Sequence, residues 1–455
     1  MKRLVSFLFI LQMTLYNAVV LYVPSLSLQS VLGVSDSISI GAVGACCLVY
    51  STLGGIKAVI WTDFFQAGLM FLSLISICLA GTLEAGGLAE LVRANVNGQR
   101  LSLEPLLNFD LTTRHTVYNL ATGALIINVF MNGANQIQVQ RALSLPSLRL
   151  AQWSQLLAAI FTMLIASLAA FLGLILYANL HSCDPFESGQ VDKRDALLLY
   201  YTNTHLSHLA GLRGIFVAGI FAATLSTLSS FQNSMSALLL EDFIRPLWPL
   251  SERQATHLSK TLALGFGLAC IGLTFVVGRI SGLLQVAFTL FGALGAPFIG
   301  AFLMGMLTRF ANTAGMLAGM LAGFTLGVGV QLYQTFYLPP LEPSLPLSTS
   351  GCAPTGNQTL LGVIQPKAQP PSDLLETFGR MSYFWLPAFA LALTVLVGSL
   401  ASLLTGGLSQ PPVDERLLVA WLHRKRLDSE EKRRRASKLG SPRLVVRGGL
   451  KTSEI

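Results

Sequence analysis

Long apolar stretches follow one another along most of the chain, separated by short segments that hold most of the charged residues. A helix needs about 20 apolar residues to cross a bilayer, and each stretch is close to that length or longer. None alternates apolar and polar residues in the manner of a transmembrane β-strand. The pattern therefore predicts an all-α, polytopic membrane protein of about ten transmembrane helices, at residues 4–32, 37–54, 63–84, 116–141, 148–178, 210–240, 257–279, 281–308, 313–338 and 381–405.

The composition agrees with a membrane protein and argues against an enzyme. Hydrophobic residues make up 53% of the chain and charged residues only 11%, whereas a soluble domain carries roughly 25% charged residues. The shortage of charge extends to Gly406, so it does not indicate a soluble domain with a single anchor. No phosphate loop, zinc-ligand spacing or Ser/His/Asp arrangement stands out. We therefore predict no catalytic residues, no bound metal cofactor and no enzymatic activity.

The net charge of +8 arises mostly from the C-terminal tail, which holds twelve Lys or Arg against six Asp or Glu after Gly406. Basic residues next to a span mark its cytoplasmic end, so this charge indicates a membrane-facing tail and no nucleic-acid partner. We predict a transmembrane domain at residues 1–407 and a basic cytoplasmic tail at 408–455. An even number of spans places both termini on the cytoplasmic side of the plasma membrane, with the lipid bilayer as a partner.

Three longer loops face outward in this topology, at residues 85–115, 179–209 and 339–380. Cys183 and Cys352 lie in two of them, on the oxidising side of the membrane where disulfides persist. The other four cysteines lie within predicted spans. We therefore predict a disulfide between Cys183 and Cys352. The sequon at Asn357 also lies in an outward loop and predicts a glycoprotein.

A row of polar residues lies inside the apolar stretch at 210–240. Ser226, Ser229, Ser230 and Asn233 fall at i, i+3, i+4 and i+7, so they share one face of a helix. Neutral hydroxyl and carbonyl oxygens are hard ligands that suit a small cation. Small residues also allow helices to pack closely. The spacing alone leaves both interpretations open, an ion site and a packing face.

The fourth stretch carries a second polar row. Asn128, Asn132 and Asn135 fall at i, i+4 and i+7 and are expected on one helical face. Asparagines in a span form hydrogen bonds between helices, or they line a substrate path. The spacing does not separate these two roles.

Two further segments predict interruptions of the helical backbone. Gly54 and Gly55 are expected to end one helix before a short turn, after which Asp63 either caps the next helix or draws a cation out of the ion site. The segment Phe288 to Pro297 carries two glycines and a proline within an apolar stretch. Such residues allow a broken or kinked helix, from which transporters build binding sites.

Four segments together resemble the sodium:solute symporter family. They are VYSTLGGIKAVIWTDFFQ (49–66), NQIQVQRAL (135–143), AATLSTLSSFQNS (222–234) and FGALGAPFIGAFLMGML (291–307). The resemblance extends to about Gly407. The pattern from Gly133 to Arg141 is similar to the branch that holds the sodium-coupled monocarboxylate, multivitamin and iodide transporters. The loop text YANLHSCDPF (177–186) looks most like the monocarboxylate members.

The resemblance implies a LeuT-like inverted-repeat transporter fold. The chain begins where the fourth span of these relatives starts, so the implied fold is one that lacks its first three helices. In the family, one of those helices is broken at mid-membrane and supplies half of the sodium site.

The resemblance also implies sodium ligands. Ala223 matches the position that gives a backbone carbonyl to the shared sodium site, and Ser226 and Thr227 match its two hydroxyl ligands. The remaining implied residues are tied to a further sodium site and to the sodium exit path: Ser229, Ser230 and Asp63.

For the substrate, the resemblance implies a pocket that includes residues of the fourth span. Asn132 stands where this branch usually has a tyrosine that lines the anion pocket, and Asn128 stands where the iodide member has a tryptophan. These departures bear on which substrate is carried. The expected substrate-binding residues are Asn128, Asn132, Asn135, Phe288 and Phe291.

We therefore expect sodium-coupled symport of a small, monocarboxylate-like organic anion, with the sodium ion as the coupling ion. The alternatives are symport of vitamins or iodide, and a non-transporting truncated isoform or regulator of a full-length symporter. Because Ala223, Ser226 and Thr227 alone leave a sodium ion under-coordinated, the chain as given is expected to show no uptake of its own. The C-terminal Ser-Glu-Ile sequence predicts a PDZ-domain partner at Ile455.

Overall fold

The computed structural model describes residues 2–102, 107–279, 282–337, 345, 347–352, 373–410, 413 and 417–419. This part of the chain is helical and contains no β-strand. The helices are α1 Lys2–Leu32, α2 Asp36–Glu84, α3 Leu88–Asn97, α4 Val117–Val129, α5 Gln136–Leu143, α6 Leu148–Leu180, α7 Leu197–Thr204, α8 Leu212–Leu239, α9 Glu252–Val277, α10 Leu283–Leu290, α11 Ala296–Leu307, α12 Thr313–Phe336, α13 Leu374–Gly379 and α14 Leu386–Leu404. Three π-helical turns adjoin them, at Phe130–Ala134, Leu240–Ile244 and Phe291–Gly295.

Nine helical segments of the described chain are long and apolar enough to cross a membrane, against ten predicted. The difference lies in the second predicted span: Asp36–Thr52 is apolar but shorter than a full span. It continues without interruption into the third, because α2 is helical from Asp36 to Glu84. The prediction that Gly54 and Gly55 end a helix is therefore wrong. A glycine weakens a helix by about 1 kcal/mol relative to alanine but does not stop it.

Helix α2 is nevertheless not straight between Tyr50 and Thr62, a stretch that contains this glycine pair. The Tyr50 hydroxyl is hydrogen-bonded to the Thr62 hydroxyl. Residues that far apart lie about 18 Å from each other along a straight helix, farther than the two side chains can span. This departure from a straight helix agrees with the tendency of helices to kink at glycine pairs.

The main core lies between α1, α8, α9 and the two spans that contain the π-helical turns at Phe130–Ala134 and Phe291–Gly295. Its buried rings come from different elements, among them Phe9 of α1, Phe231 of α8 and Phe298 of α11. Phe130 packs against Phe9 and Phe298 with ring centroids 6.2 Å apart in both pairs. Because Phe130 begins the π-helical turn after α4, the core anchors that turn in place.

A second group of helices consists of α11, α12 and α14. Four glycines of α12, Gly315, Gly319, Gly323 and Gly327, recur at every fourth residue and face α14 or the turn at Phe291–Gly295. A Cβ atom added at Gly319 would lie 2.4 Å from the carbonyl oxygen of Thr394. The two backbones are therefore in direct contact, as in the close packing of small residues between membrane helices.

Two of the predicted outward loops are joined covalently. The predicted disulfide between Cys183 and Cys352 is confirmed in the structure. Backbone hydrogen bonds flank it on both sides, from Asp184 N to Ser348 O at 2.9 Å and from Gly351 N to Ser182 O at 2.9 Å. The glycosylation position Asn357 and the C-terminal Ile455 lie outside the described residues.

Candidate ion and substrate site

The serine-rich face lies on an uninterrupted helix. Helix α8 runs from Leu212 to Leu239, so residues at i, i+3, i+4 and i+7 do share one side, as predicted. Ser229 and Ser230 are buried, whereas Ser226 and Asn233 are half-buried. The face is therefore turned towards protein over part of its length and is accessible over the rest.

One hydroxyl group of this face and the neighbouring Thr227 hydroxyl donate back along the helix. Thr227 Oγ1 donates to Ala223 O at 3.0 Å, and Ser229 Oγ donates to Ser226 O at 3.2 Å. Such bonds to the preceding turn are common for Ser and Thr in helices. They leave the oxygen lone pairs free, since a hydroxyl carries one donor and two acceptor pairs.

Ser226 completes a set of neutral oxygens. Its hydroxyl makes no hydrogen bond within the described residues, and it follows Ala223 by three positions and precedes Thr227 by one. The carbonyl oxygen of Ala223 and the hydroxyls of Ser226 and Thr227 are all hard, uncharged ligands. This donor chemistry fits sodium, which oxygen dipoles can hold in place of its hydration shell.

The fourth predicted span is broken, which the sequence interpretation missed. Helix α4 ends at Val129, a π-helical turn follows at Phe130–Ala134, and Asn135 is extended with φ −72° and ψ 122° before α5 begins. The Asn135 side chain caps α5, accepting a hydrogen bond from Ile137 N at 2.9 Å. An asparagine before a helical pattern is an N-cap signal, and this signal marks the break in the sequence.

The break separates the three asparagines that were expected on one face. Asn128 and Asn132 are exposed, and each side chain donates to the carbonyl four residues earlier, at 2.8 and 3.0 Å. Asn135 is buried, with 2% of its surface exposed. The prediction that all three asparagines share one helical face is therefore wrong. The wider π-helical turn and the extended residue change the angular spacing between Asn132 and Asn135. Asn128 and Asn132 remain together on one open side.

The predicted interruption between Phe288 and Pro297 is confirmed as the π-helical turn Phe291–Gly295. The buried Phe291 ring lies 4.6 Å from the Tyr16 ring and 6.1 Å from the Phe130 ring. The two interrupted spans therefore meet at the Phe130–Phe291 contact. Phe288 points elsewhere, towards Phe384, with centroids 5.1 Å apart.

Asp63 takes part in a contact that joins three helices. It lies well inside α2, so the interpretation of Asp63 as a helix cap is wrong. Arg141, at the end of α5, donates from Nη2 to Asp63 Oδ2 at 2.6 Å and to the hydroxyl of Ser230 on α8. This pairing could not be foreseen from local patterns, because the partners of Arg141 lie 78 and 89 positions away along the chain.

Two buried amides of α1 were also missed. Gln12 is fully buried, and its Nε2 donates to Leu290 O at 3.2 Å, directly before the turn at Phe291–Gly295. Its Oε1 atom and the Oδ1 atom of Asn17 have no hydrogen-bond partner among the described residues. The sequence does contain a signal for both residues, because each is a single amide within an apolar run. Polar groups inside a membrane mark functional or packing positions. No cluster of His, Cys, Asp and Glu within the described ranges could hold a resident metal.

Comparisons of the chain with a family model and with known proteins agree on one family. The model of the sodium:solute symporter family matches residues 1–323. The chain is 36% identical over 421 residues to human sodium-coupled monocarboxylate transporter 1, covering 89% of this chain and 68% of that protein. It is 36% identical over 409 residues to the putative sodium-dependent multivitamin transporter of Drosophila melanogaster, covering 87% and 66%. The chain thus spans about two thirds of the length of these curated relatives.

A solved structure supports the fold. A Na⁺-coupled sialic acid symporter in its substrate-bound, outward-open state superimposes with a TM-score of 0.68 at 19% sequence identity, covering 91% of this chain and 75% of that chain. The predicted fold class, an all-α LeuT-like transporter fold, is confirmed by this likeness.

Proposed function

The chain belongs to the sodium:solute symporter family, and we propose that the solute it carries is a small organic anion of the monocarboxylate kind. It is a multi-pass membrane protein of a transporter family rather than an enzyme, and sodium is the coupling ion. The plasma membrane and cytoplasmic termini form part of the proposal, supported by the positions of the basic residues.

The oxygen set on α8 is the observation that carries the proposal. Ala223 O and Thr227 Oγ1 lie 3.0 Å apart, close enough to share one ion, and Ser226 supplies a third oxygen from the same helix. In the interior of a membrane such a polar face needs water, protein or an ion beside it. Sodium is a suitable ion because the ligands are neutral and need no permanent counter-charge.

The broken helix supports the substrate part of the proposal. Asn128, in the last turn of α4, and Asn132, in the π-helical turn, present amide groups on an open face. Each amide nitrogen carries a second proton that its helical bond does not use. A carboxylate accepts such protons. The aromatic contact between Phe130 and Phe291 places the other interrupted span nearby, and in this proposal that span supplies the apolar contacts to the carbon part of the solute.

The test is uptake of labelled lactate, nicotinate, biotin and iodide by cells that express the chain, in sodium and in choline medium. In place of the expectation from ligand count that the chain shows no uptake of its own, we expect sodium-dependent uptake of a monocarboxylate, because the chain belongs to a symporter family and carries the α8 oxygen set. The double variant Ser226→Ala, Thr227→Ala should lose the sodium dependence at equal surface expression. Ser167→Ala is the matched control, because Ser167 is an exposed serine of α6 whose hydroxyl also donates to its own helix, at 2.8 Å.

The pattern of uptake decides between the candidate solutes. The curated monocarboxylate and multivitamin relatives are equally similar to this chain at 36% identity, so the discrimination comes from the assay. Uptake of biotin or iodide without lactate or nicotinate would replace the monocarboxylate proposal by symport of a vitamin or of iodide. Unchanged sodium activation in the double variant would contradict the proposed ion site.

A further inference from the structure

A polar cavity of about 290 Å³ lies between α2, the end of α8 and the start of α9. Uncharged hydrogen-bonding side chains from all three helices line it: Ser51, Thr52, Asn233, Thr256 and Ser259. Its volume is at the lower end of small-molecule sites, which measure roughly 300–1,000 Å³. The cavity can therefore hold one ring-sized polar group but no long acyl chain.

The cavity lies on the side of the membrane opposite to the disulfide. The bridge between Cys183 and Cys352 marks the outer side, where disulfides persist. The intervening α7 has eight residues and cannot cross the membrane, whereas α8 has 28 residues. That length is about 42 Å, enough to cross a hydrocarbon core of about 30 Å. The end of α8 and the start of α9 therefore lie on the inner side, where the leaflet contains anionic lipids.

The start of α9 lies at the depth of the lipid headgroups and carries an available cation. Helix α9 has 26 residues, so it is about 9 Å longer than the hydrocarbon core. Lys260 lines the cavity, is exposed and makes no ion pair within the described residues. The other basic residue of the lining, Arg245, is already paired with Glu241 at 3.0 Å and with Glu252 at 3.2 Å. Lys260 is therefore the cation that an anionic group in the cavity would meet.

The neutral side chains present mainly acceptor oxygens to the cavity. Thr52 donates its hydroxyl proton to Leu48 O at 2.8 Å, and Thr256 donates to Glu252 O at 2.8 Å. The lone pairs of both hydroxyl oxygens remain for a ligand. Ser51 is buried, with 2% of its surface exposed, and its hydroxyl has no hydrogen-bond partner among the described residues. Such a buried hydroxyl carries a desolvation cost that a polar ligand would remove.

A matching ligand brings several hydroxyl donors and one negative charge. A bare phosphate group offers only acceptors, which an acceptor-rich wall does not bind. A polyhydroxylated ring on a phosphodiester supplies both groups, and its acyl chains can remain in the bilayer. We propose that the cavity binds the headgroup of phosphatidylinositol from the inner leaflet, with the phosphodiester at Lys260 and the ring hydroxyls at Ser51, Thr52 and Thr256. This site is separate from the proposed symport and does not depend on it.

The experiment measures lipid binding by the purified full chain in detergent and sodium-free choline buffer. The melting temperature is followed against short-chain phosphatidylinositol, phosphatidylserine with the same acyl chains, and free myo-inositol, since a ligand of the folded state raises it. We expect saturable stabilisation by phosphatidylinositol at a lower concentration than by phosphatidylserine, and none by free myo-inositol over the same range. Lys260→Gln should raise the half-saturating concentration of phosphatidylinositol at least about fivefold, the effect of one basic residue at an anionic lipid surface.

Matched variants test the charge and the hydroxyl separately. Arg253→Gln removes the same charge from an exposed position of α9 outside the cavity lining and should change nothing. Ser51→Ala should raise the half-saturating concentration of phosphatidylinositol about two- to tenfold. Ser39→Ala is its control, because Ser39 is a buried serine of α2 that also lacks a hydrogen-bond partner within the described chain and lies outside this lining. Lys260→Arg, which keeps a cation for the phosphate, should bind as the unmodified chain does and serves if the glutamine variant does not fold.

The outcomes bear on this inference alone, because neither sodium nor a transported solute is present. Equal half-saturating concentrations for phosphatidylinositol and phosphatidylserine would show a general contact with anionic lipid and would overturn it. Stabilisation by free myo-inositol at the same concentrations would show a site for a soluble polyol and would also overturn it. Equal effects of Lys260→Gln and Arg253→Gln, or no response to any of the three compounds, would contradict the proposed headgroup site.

Discussion

The contact between α12 and α14 gives a prediction with a calculable size. Gly319→Ala adds a Cβ atom 2.4 Å from Thr394 O and 2.8 Å from the Cα atom of Gly398. Ordinary contact begins at 3.4 Å, so the two helices must separate by about 1 Å. The clashing atoms belong to the backbone and cannot rotate away. Overpacking of this kind costs about 1–3 kcal/mol.

Gly329→Ala provides the control on the same helix. No atom lies within 4 Å of a Cβ atom at Gly329, and alanine raises helix propensity by up to about 1 kcal/mol. Thermal unfolding of both purified variants should therefore place Gly319→Ala below the unmodified chain and Gly329→Ala at or above it. The free energies of the two variants should differ by about 1–4 kcal/mol. Equal melting temperatures for the two variants would refute the close backbone contact between α12 and α14.

Two further predictions concern the broken helix and the outward loops. Asn135→Ala removes a buried cap whose oxygen lies 2.9 Å from Ile137 N. It should lower the free energy of unfolding by about 0.5–2 kcal/mol and lower maximal uptake. The control Ser147→Ala removes the cap of α6 and should leave uptake unchanged. Peptide mapping by mass spectrometry without reduction should yield a linked pair containing Cys183 and Cys352, and free thiols at both positions in surface-expressed protein would contradict the observed pairing.

The spans and the serine face could be predicted from the sequence, because both depend on local periodicity. An apolar run of span length predicts a membrane helix wherever it occurs, and α8 preserves the spacing of Ser226 and Ser230 since it is uninterrupted. The helical spacing rule failed for Asn135, because the π-helical turn and the extended residue before α5 change the angular position of every later residue. The prediction for α2 was partly right. The helix is not straight in the stretch that contains Gly54 and Gly55, but its helical backbone continues through them.

Contacts between distant segments could not be predicted in the same way. The salt bridge between Arg141 and Asp63 depends on how α5 is angled after the break, and the hydrogen bond from Gln12 to Leu290 depends on how α1 packs against α10. Neither angle follows from the periodicity of a single segment. The disulfide was an exception, because Cys183 and Cys352 were the two cysteines left outside the predicted spans.

Helix α5 connects the two halves of the candidate site. At its start, the cap of Asn135 fixes the position of the break that follows Asn128 and Asn132, where the proposed solute binds. At its end, Arg141 is bound to Asp63 and to Ser230 on the serine face. A helix of eight residues is about 12 Å long and stiff on that scale, so a shift at one end is transmitted to the other. The face proposed to bind the solute and the salt bridge to α2 therefore lie at the two ends of one short, rigid helix.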